Sequence, residues 1–94
     1  MPTFYRTMIR QEREILKNRI LGVFHEVARS QGVELAPLEG NTVLLESGLD
    51  SLGFAIVVAR LEEELGYDPF VIAREPIYPR TVDDFVDIYG DGLA

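Results

Sequence analysis

The chain has 94 residues, of which 47% are hydrophobic, and it carries a net charge of −7 without any cysteine. This content supports one small core, which predicts a single domain over residues 1–94 with an N-terminal arm at 1–7. The lack of cysteine excludes disulfides and thiolate metal sites, and the acidic charge argues against nucleic acid as a partner. No apolar run is long enough to span a membrane and no signal peptide precedes the first helix, so we expect a cytoplasmic protein.

The first predicted helix runs from about residue 7 to residue 30. Its apolar residues recur at helical spacing and form one stripe, made of Ile9, Leu16, Ile20, Val23, Phe24 and Val27. Gly32 is expected to end the helix. His25 lies opposite the stripe, which favours a solvent-exposed residue over a metal ligand or a catalytic base.

Residues 33–50 form a long connection that is too apolar for a free linker. Leucines and Val33 recur through it, so we expect it to fold onto the helices as an ordered loop. A turn is predicted at residues 40–42, and a single helical turn over residues 42–45.

The second helix is predicted over residues 51–65, with Gly66 as its end. It carries two apolar stripes. One is suited to the core and consists of Phe54, Val57, Val58, Leu61 and Leu65. The other is Leu52, Ala55, Ile56 and Ala59. The second stripe lies either under a loop or in solvent, where a partner would cover it.

Two further helix starts follow. Asp68 and Pro69 are typical of an N-cap and a first helical position, and Pro76 and Pro79 keep that helix short. Thr81 is expected to cap a last helix that ends at Gly90, with Val82, Phe85, Val86 and Tyr89 facing inward. No segment alternates long enough to predict a strand. The fold class is therefore all-α, a small four-helix bundle with three main helices and a short third helix.

The pattern does not favour catalysis. Ser51 lacks the glycine-flanked turn of a hydrolase nucleophile, and the single histidine faces away from the core stripe. No phosphate loop or metal-ligand spacing occurs, and the run Glu62–Glu64 is typical of a solvated helix surface. We therefore predict no catalytic residue and no metal, and consider a small serine hydrolase the weakest of the alternatives.

The segment Gly48-Leu49-Asp50-Ser51-Leu52, followed by an apolar helix that ends in Leu61-Glu62-Glu63-Glu64-Leu65-Gly66, resembles the acyl carrier proteins and peptidyl carrier domains. The resemblance implies a four-helix bundle with a short third helix. It also implies that Ser51 carries a covalent 4′-phosphopantetheine arm, transferred from coenzyme A by a magnesium-dependent phosphopantetheinyl transferase. The thiol of that arm would hold the cargo as a thioester, which would give a chain without cysteine its thiol chemistry.

The local physics suits that role. Asp50 can cap the second helix and leave the Ser51 hydroxyl free, so we assign Asp50 to the cofactor site. A phosphodiester on Ser51 would lie at the positive end of the helix. Gly53 is expected to leave the first turn uncrowded.

The resemblance further implies a docking face for partner enzymes on the second helix. By position it comprises Leu52, Ala55, Ile56, Ala59, Glu62 and Glu63. Carriers of bacterial fatty-acid synthesis usually have acidic residues where this chain has Gly53 and Ile56. Their absence favours a specialised pathway of nonribosomal-peptide-like or polyketide-like type.

We therefore expect a monomeric acyl or aminoacyl carrier without catalytic activity. Its partners would be the transferase, an enzyme that activates an acyl group or an amino acid, and a downstream acyltransferase or synthase. The alternatives are a carrier of fatty-acid synthesis and a helical interaction module that is never modified.

Overall fold

The computed structural model describes residues 9–93, and the side chains of residues 9–91. It contains four α-helices and one 3₁₀ turn: α1 (Arg10–Gln31), the 3₁₀ turn (Leu44–Glu46), α2 (Ser51–Leu65), α3 (Pro69–Ile72) and α4 (Val82–Leu93). In this range β-structure is limited to an isolated bridge between Val43 and Thr81. The predicted all-α bundle with a short third helix is confirmed. The predicted arm at residues 1–7 lies outside the described residues.

Helix α1 supplies one wall of the core. Its stripe from Leu16 to Val27 is buried as predicted, and His25 is exposed as predicted. The prediction that Ile9 belongs to the core stripe is wrong. Ile9 has an extended backbone, precedes the helix and is 57% exposed. Gly32 ends α1 in the left-handed conformation, with its N–H directed to the last carbonyls of the helix.

An aromatic cluster joins the four helices. Phe24 of α1 meets Phe54 of α2 and Phe85 of α4 edge-on, with ring centroids 5.8 and 5.5 Å apart. Phe70 of α3 contacts Phe85 and Tyr89 in the same way, at 5.9 and 6.0 Å. Such pairs add to the burial of the rings themselves. Phe70 is thus the anchor that holds the four-residue α3 against α4.

Ion pairs show how α1 runs relative to α2 and which part of it faces α4. Glu26 pairs with Arg60 at 3.3 Å and Arg19 with Glu64 at 3.9 Å, so α1 and α2 run antiparallel. Arg13 of α1 contacts Asp83 and Asp87 of α4. These pairs are partly exposed and contribute little to stability. The antiparallel direction that they reveal is more informative, because it means that the end of α1 lies beside the start of α2.

The connection between α1 and α2 is ordered, as predicted. Its backbone N–H groups and carbonyls bond at both ends, with Ala36 N–H donating to Ser47 O at 2.8 Å and Leu44 N–H donating to Arg80 O at 2.9 Å. Val82 N–H donates to Thr42 O at 3.0 Å. The helical turn predicted over residues 42–45 occurs two residues later, at Leu44–Glu46.

Helix α4 does not end at Gly90 as predicted. It continues to Leu93, and Gly90 is buried within it. A glycine ends a helix by adopting a positive φ, which Gly32 and Gly66 do and Gly90 does not. The residue before it, Tyr89, is completely buried and stacks on Phe85 with centroids 5.1 Å apart. Tertiary packing therefore carries the helix through the glycine.

Gly22 offers a simple test of helix energetics. It lies exposed in the middle of α1, and a Cβ added there would meet nothing within 4 Å. We expect Gly22→Ala to raise the free energy of unfolding by about 0.5–1 kcal/mol, because alanine loses less conformational entropy in a helix. Urea denaturation measures the change.

Gly66 is the matched control. A Cβ there also meets nothing within 4 Å, but its φ of 85° is left-handed. Gly66→Ala should lower the free energy of unfolding by about 1 kcal/mol. A shift of the same sign in both variants would contradict this account.

Candidate functional site

Ser51 is the first residue of α2, and Asp50 is its N-cap. Asp50 has extended backbone angles (φ −93°, ψ −174°), and its Oδ1 accepts the N–H of Gly53 at 2.8 Å. Its carbonyl accepts the N–H of Phe54 at 3.0 Å. The expected cap is confirmed. The carboxylate that satisfies the helix end belongs to Asp50, which leaves the neighbouring serine free of that task.

The hydroxyl of Ser51 differs from those of the other two serines. Ser30 donates to Val27 O at 3.0 Å. Ser47 is completely buried, donates to Leu44 O at 2.6 Å and accepts from Leu49 N–H at 3.4 Å. Ser51 is exposed, and its hydroxyl makes no hydrogen bond to residues 9–93. Of the three serines, all of which lie in the described range, Ser51 alone offers an accessible and unengaged hydroxyl oxygen at a helix start.

The turn before Ser51 is held by a close backbone approach at Gly48. Its φ is 110°, and a Cβ there would lie 2.7 Å from the carbonyl oxygen of Glu34. Both conditions require glycine. Because the next residue, Leu49, is buried in the core, the turn is fixed on both sides of Gly48. The position of Ser51 is set by this anchored turn.

Gly53 lies in a closely packed part of the first turn of α2. It is buried, and a Cβ would lie 3.0 Å from Cδ2 of Leu49 and 3.1 Å from Oε1 of Gln31. The glycine therefore leaves room for the Leu49 side chain and for the end of the Gln31 side chain beside the first turn of α2. Sequence reasoning missed this contact because it depends on the crossing of two helices.

The sequence left open whether the second apolar stripe of α2 lies under a loop or in solvent. Most of the stripe is in solvent. Leu52 is 62% exposed, and Ala55 and Ala59 are exposed as well. Ile56 is the exception, since it is half-buried and packs against the core. Glu62 and Glu63 are exposed towards the end of the helix.

A groove of about 240 Å³ opens between the 3₁₀ turn, α2, α3 and the start of α4. Every side chain that lines it is apolar: Leu44, Leu45, Phe54, Val58, Phe70, Pro79 and Phe85. Ser51, Phe54 and Val58 stand at positions i, i+3 and i+7, on one side of α2. The sequence indicated Phe54 and Val58 as core residues. Both are half-buried, which helical periodicity does not reveal.

The residues present fit a phosphopantetheine arm. The Ser51 hydroxyl is accessible for esterification, and an anion attached to it would meet the N-terminal end of a 15-residue helix. No group of three His, Cys, Asp or Glu residues suited to a metal occurs within the described range. Among the described helices, none is both long and apolar enough to cross a membrane.

The division of roles between Asp50 and Ser51 has a measurable consequence for stability. Asp50→Ala should lower the free energy of unfolding by about 1 kcal/mol, because it removes the side-chain acceptor of the cap. Ser51→Ala should change it by less than about 0.5 kcal/mol, because an exposed hydroxyl without a partner is removed. Urea denaturation of both variants measures this. Equal losses would mean that Ser51 also takes part in the cap.

Comparison with known proteins adds an independent line of evidence. Residues 18–70, more than half of the chain, match the family model described as a phosphopantetheine attachment site. No curated protein and no solved structure matches the chain significantly. Carrier domains of the matched family are generally not catalytic themselves. The chain belongs to the phosphopantetheine attachment family, and it is a carrier protein that bears covalent 4′-phosphopantetheine.

Proposed function

We propose that Ser51 is the attachment residue and that the protein carries acyl or aminoacyl groups between the enzymes of a specialised biosynthetic pathway. The observation that carries the assignment is the exposed Ser51 hydroxyl, unengaged beside a cap made by another side chain. The attached group supplies a thiol that binds cargo as a thioester. The working unit would be a cytoplasmic monomer with one domain over residues 1–94.

The attachment step is a phosphoryl transfer to Ser51. The Ser51 oxygen forms a bond to the phosphorus next to the pantetheine of coenzyme A, and the pyrophosphate bond to that phosphorus breaks. Adenosine 3′,5′-bisphosphate leaves with the bonding electrons, and the hydroxyl proton passes to a base on the transferase. The carrier's own contribution to this step is to hold the Ser51 oxygen in one place, through the anchored turn at Gly48 and the Asp50 cap.

The start of α2 also favours the product. The cap uses the N–H of Gly53, so the first two N–H groups of the helix remain available to an anion. A phosphodiester at an exposed helix start is stabilised by about 0.3–1 kcal/mol. The same residues that present the hydroxyl thus also favour its modified form.

The docking face that we propose lies on the exposed side of α2. Its first part is uncharged, with Leu52, Ala55 and Ala59 in solvent, and Glu62 and Glu63 stand at its far end. Ile56 lies at the edge and is half-buried. The transferase, an activating ligase and a downstream acyltransferase or synthase would bind here in turn. Because the cargo stays tethered, weak and exchangeable binding suffices.

A specialised pathway is supported by the two positions where fatty-acid carriers usually have acids. Gly53 is buried against Leu49 and Gln31, so a carboxylate there would displace a packed contact. Ile56 packs on the core. An acidic docking surface of the fatty-acid type is therefore not built at either position. A carrier of fatty-acid synthesis remains the second candidate for the pathway.

Mass spectrometry tests the attachment residue. The unmodified protein is incubated with coenzyme A, magnesium and a broad-specificity transferase. We expect one phosphopantetheine adduct on the wild type and on Ser30→Ala, whose serine is exposed but lies on α1. Ser51→Ala should give none. Absence of any adduct with several transferases would favour the unmodified interaction module.

Docking on α2 is tested in the same reaction by the Michaelis constant for the carrier. Ala55 is the suitable position because it is exposed, whereas a change at Ile56 would disturb folding as well. Ala55→Glu should raise the constant about 5-fold or more by burying an unpaired charge against the enzyme. Asn18→Glu, which is exposed on α1, is the control. An unchanged constant for Ala55→Glu would remove Ala55 from the docking face.

A further inference from the structure

A second recess, of about 420 Å³, lies where the end of α1 passes into the long connection. We call it the α1 recess, and the residues that line it are His25, Ala28, Arg29, Gly32, Val33, Glu34 and Leu35. It shares no lining residue with the groove between α2, α3 and α4. Neither the attachment step nor the docking face described above uses any of its side chains.

The α1 recess combines apolar side chains with hydrogen-bonding groups of both kinds. Its apolar side chains, which belong to the core or pack against it, are Ala28, Val33 and Leu35. His25 and Arg29 stand one helical turn apart on α1 and can donate hydrogen bonds. The carboxylate of Glu34 can only accept them. The recess can therefore hold a ligand that is partly apolar and carries both donors and acceptors.

The three ionisable side chains of the α1 recess are not engaged elsewhere. His25, Arg29 and Glu34 are exposed, and none of their side chains forms a hydrogen bond or an ion pair within residues 9–93. Arg13 and Arg19 of the same helix, by contrast, pair with carboxylates of α4 and α2. A guanidinium and a carboxylate that line one recess without pairing to each other are both available to a ligand.

We propose that the α1 recess binds the protein's own 4′-phosphopantetheine arm, an inference that rests on the assignment of Ser51 as the attachment residue. The arm has two amide groups, a hydroxyl and a pair of methyl groups. Its carbonyls would accept from Arg29 and His25, and its amide N–H groups would donate to Glu34. Its methyl groups would pack on the apolar side chains of the recess.

The α1 recess lies within reach of an arm on Ser51. A Cβ at Gly48 would lie 3.5 Å from Cα of Leu35 and 2.7 Å from the carbonyl oxygen of Glu34, and both of these residues line the recess. Ser51 follows Gly48 by three residues, a span of about 11 Å at most. The arm is as long as about five extended residues, or about 17 Å. It is therefore long enough to reach the recess.

Charge argues against an ionic ligand at this place. A free anion would meet the carboxylate of Glu34 and a chain whose net charge is −7, whereas a free cation would meet the guanidinium of Arg29. Beyond its phosphodiester the arm is uncharged, so it meets neither repulsion. Its attachment to the same molecule also raises its effective concentration at the recess.

Isotope-filtered NMR tests the contact. The uniformly isotope-labelled protein is modified with unlabelled coenzyme A, so nuclear Overhauser effects from the arm to the labelled chain show where the arm lies. We expect these effects at the methyl groups of Val33 and Leu35. The ring protons of His25 should also shift between the unmodified and the modified protein. His25 is the only histidine in the chain, so its ring signals are identified directly.

A pair of variants tests the role of the guanidinium. Arg29→Ala should weaken the effects at Val33 and Leu35 about 5-fold or more, because it removes a charged hydrogen-bond donor. Arg10→Ala is the matched control, because Arg10 is exposed on the same helix and does not line the recess. Its effects should equal those of the wild type. Circular-dichroism melting curves show whether both variants remain folded.

Each contrary result overturns the proposal in a distinguishable way. Effects at Phe54 and Val58, in place of the recess residues, would put the arm in the groove, and an arm without any effects on the chain would be solvated. Equal shifts of His25 when inorganic phosphate is added to the unmodified protein would assign the recess to a free anion. If mass spectrometry finds no arm on Ser51, the assignment of the attachment residue fails. An arm on Ser51 without contacts to the recess rejects only the α1 recess.

Discussion

The close approach of three segments around the start of α2 determines the rest of the site. The carbonyl of Glu34 lies against Gly48, and Gln31 and Leu49 lie against Gly53. Neither glycine can gain a side chain without moving one of these neighbours. Because α1, the long loop and α2 meet at these two residues, the location of Ser51 is fixed by a backbone contact at Gly48 and by side-chain packing at Gly53. The Asp50 cap then sets the direction of the first helical turn.

In this arrangement the groups that hold the turn are different from the hydroxyl that is available for modification. The buried hydroxyl of Ser47 donates to Leu44 O and accepts from Leu49 N–H, so it holds the turn. The group available for modification is exposed and holds nothing. A carrier has to pass between several enzymes, each of which needs the same hydroxyl or arm in the same place. Because the cap and the buried contacts of the turn do not involve the Ser51 side chain, attachment of the arm there, as proposed, would leave them in place.

The sequence predicted most helix ends, because they are local chemical signals. Asp50 and Asp68 cap α2 and α3 with their side-chain carboxylates, Pro69 suits the first helical position, and Gly66 ends α2 in the left-handed conformation. It failed at Ile9, whose N–H bonds to the Glu12 side chain just before the helix, and at Gly90, where the helix limit depends on packing elsewhere in the fold. For the same reason the groove was missed. Its walls come from four segments, and the half-burial of Phe54 and Val58 depends on where α3 lies, which the spacing along α2 does not encode.

The hydrogen bonds between the long loop and the start of α4 bear on how the site forms during folding. Leu44 bonds to Arg80 and Thr42 to Val82, so partners far apart along the chain must meet before the loop is ordered. Contacts of that kind carry a large loop-closure entropy and form late relative to helices. The part of the loop around residues 42–44 would thus reach its final shape only after α4 has docked. In a chain that still lacks α4, residues 42–44 would have no partner there, whereas the Gly48 turn and the Asp50 cap beside Ser51 depend only on earlier segments.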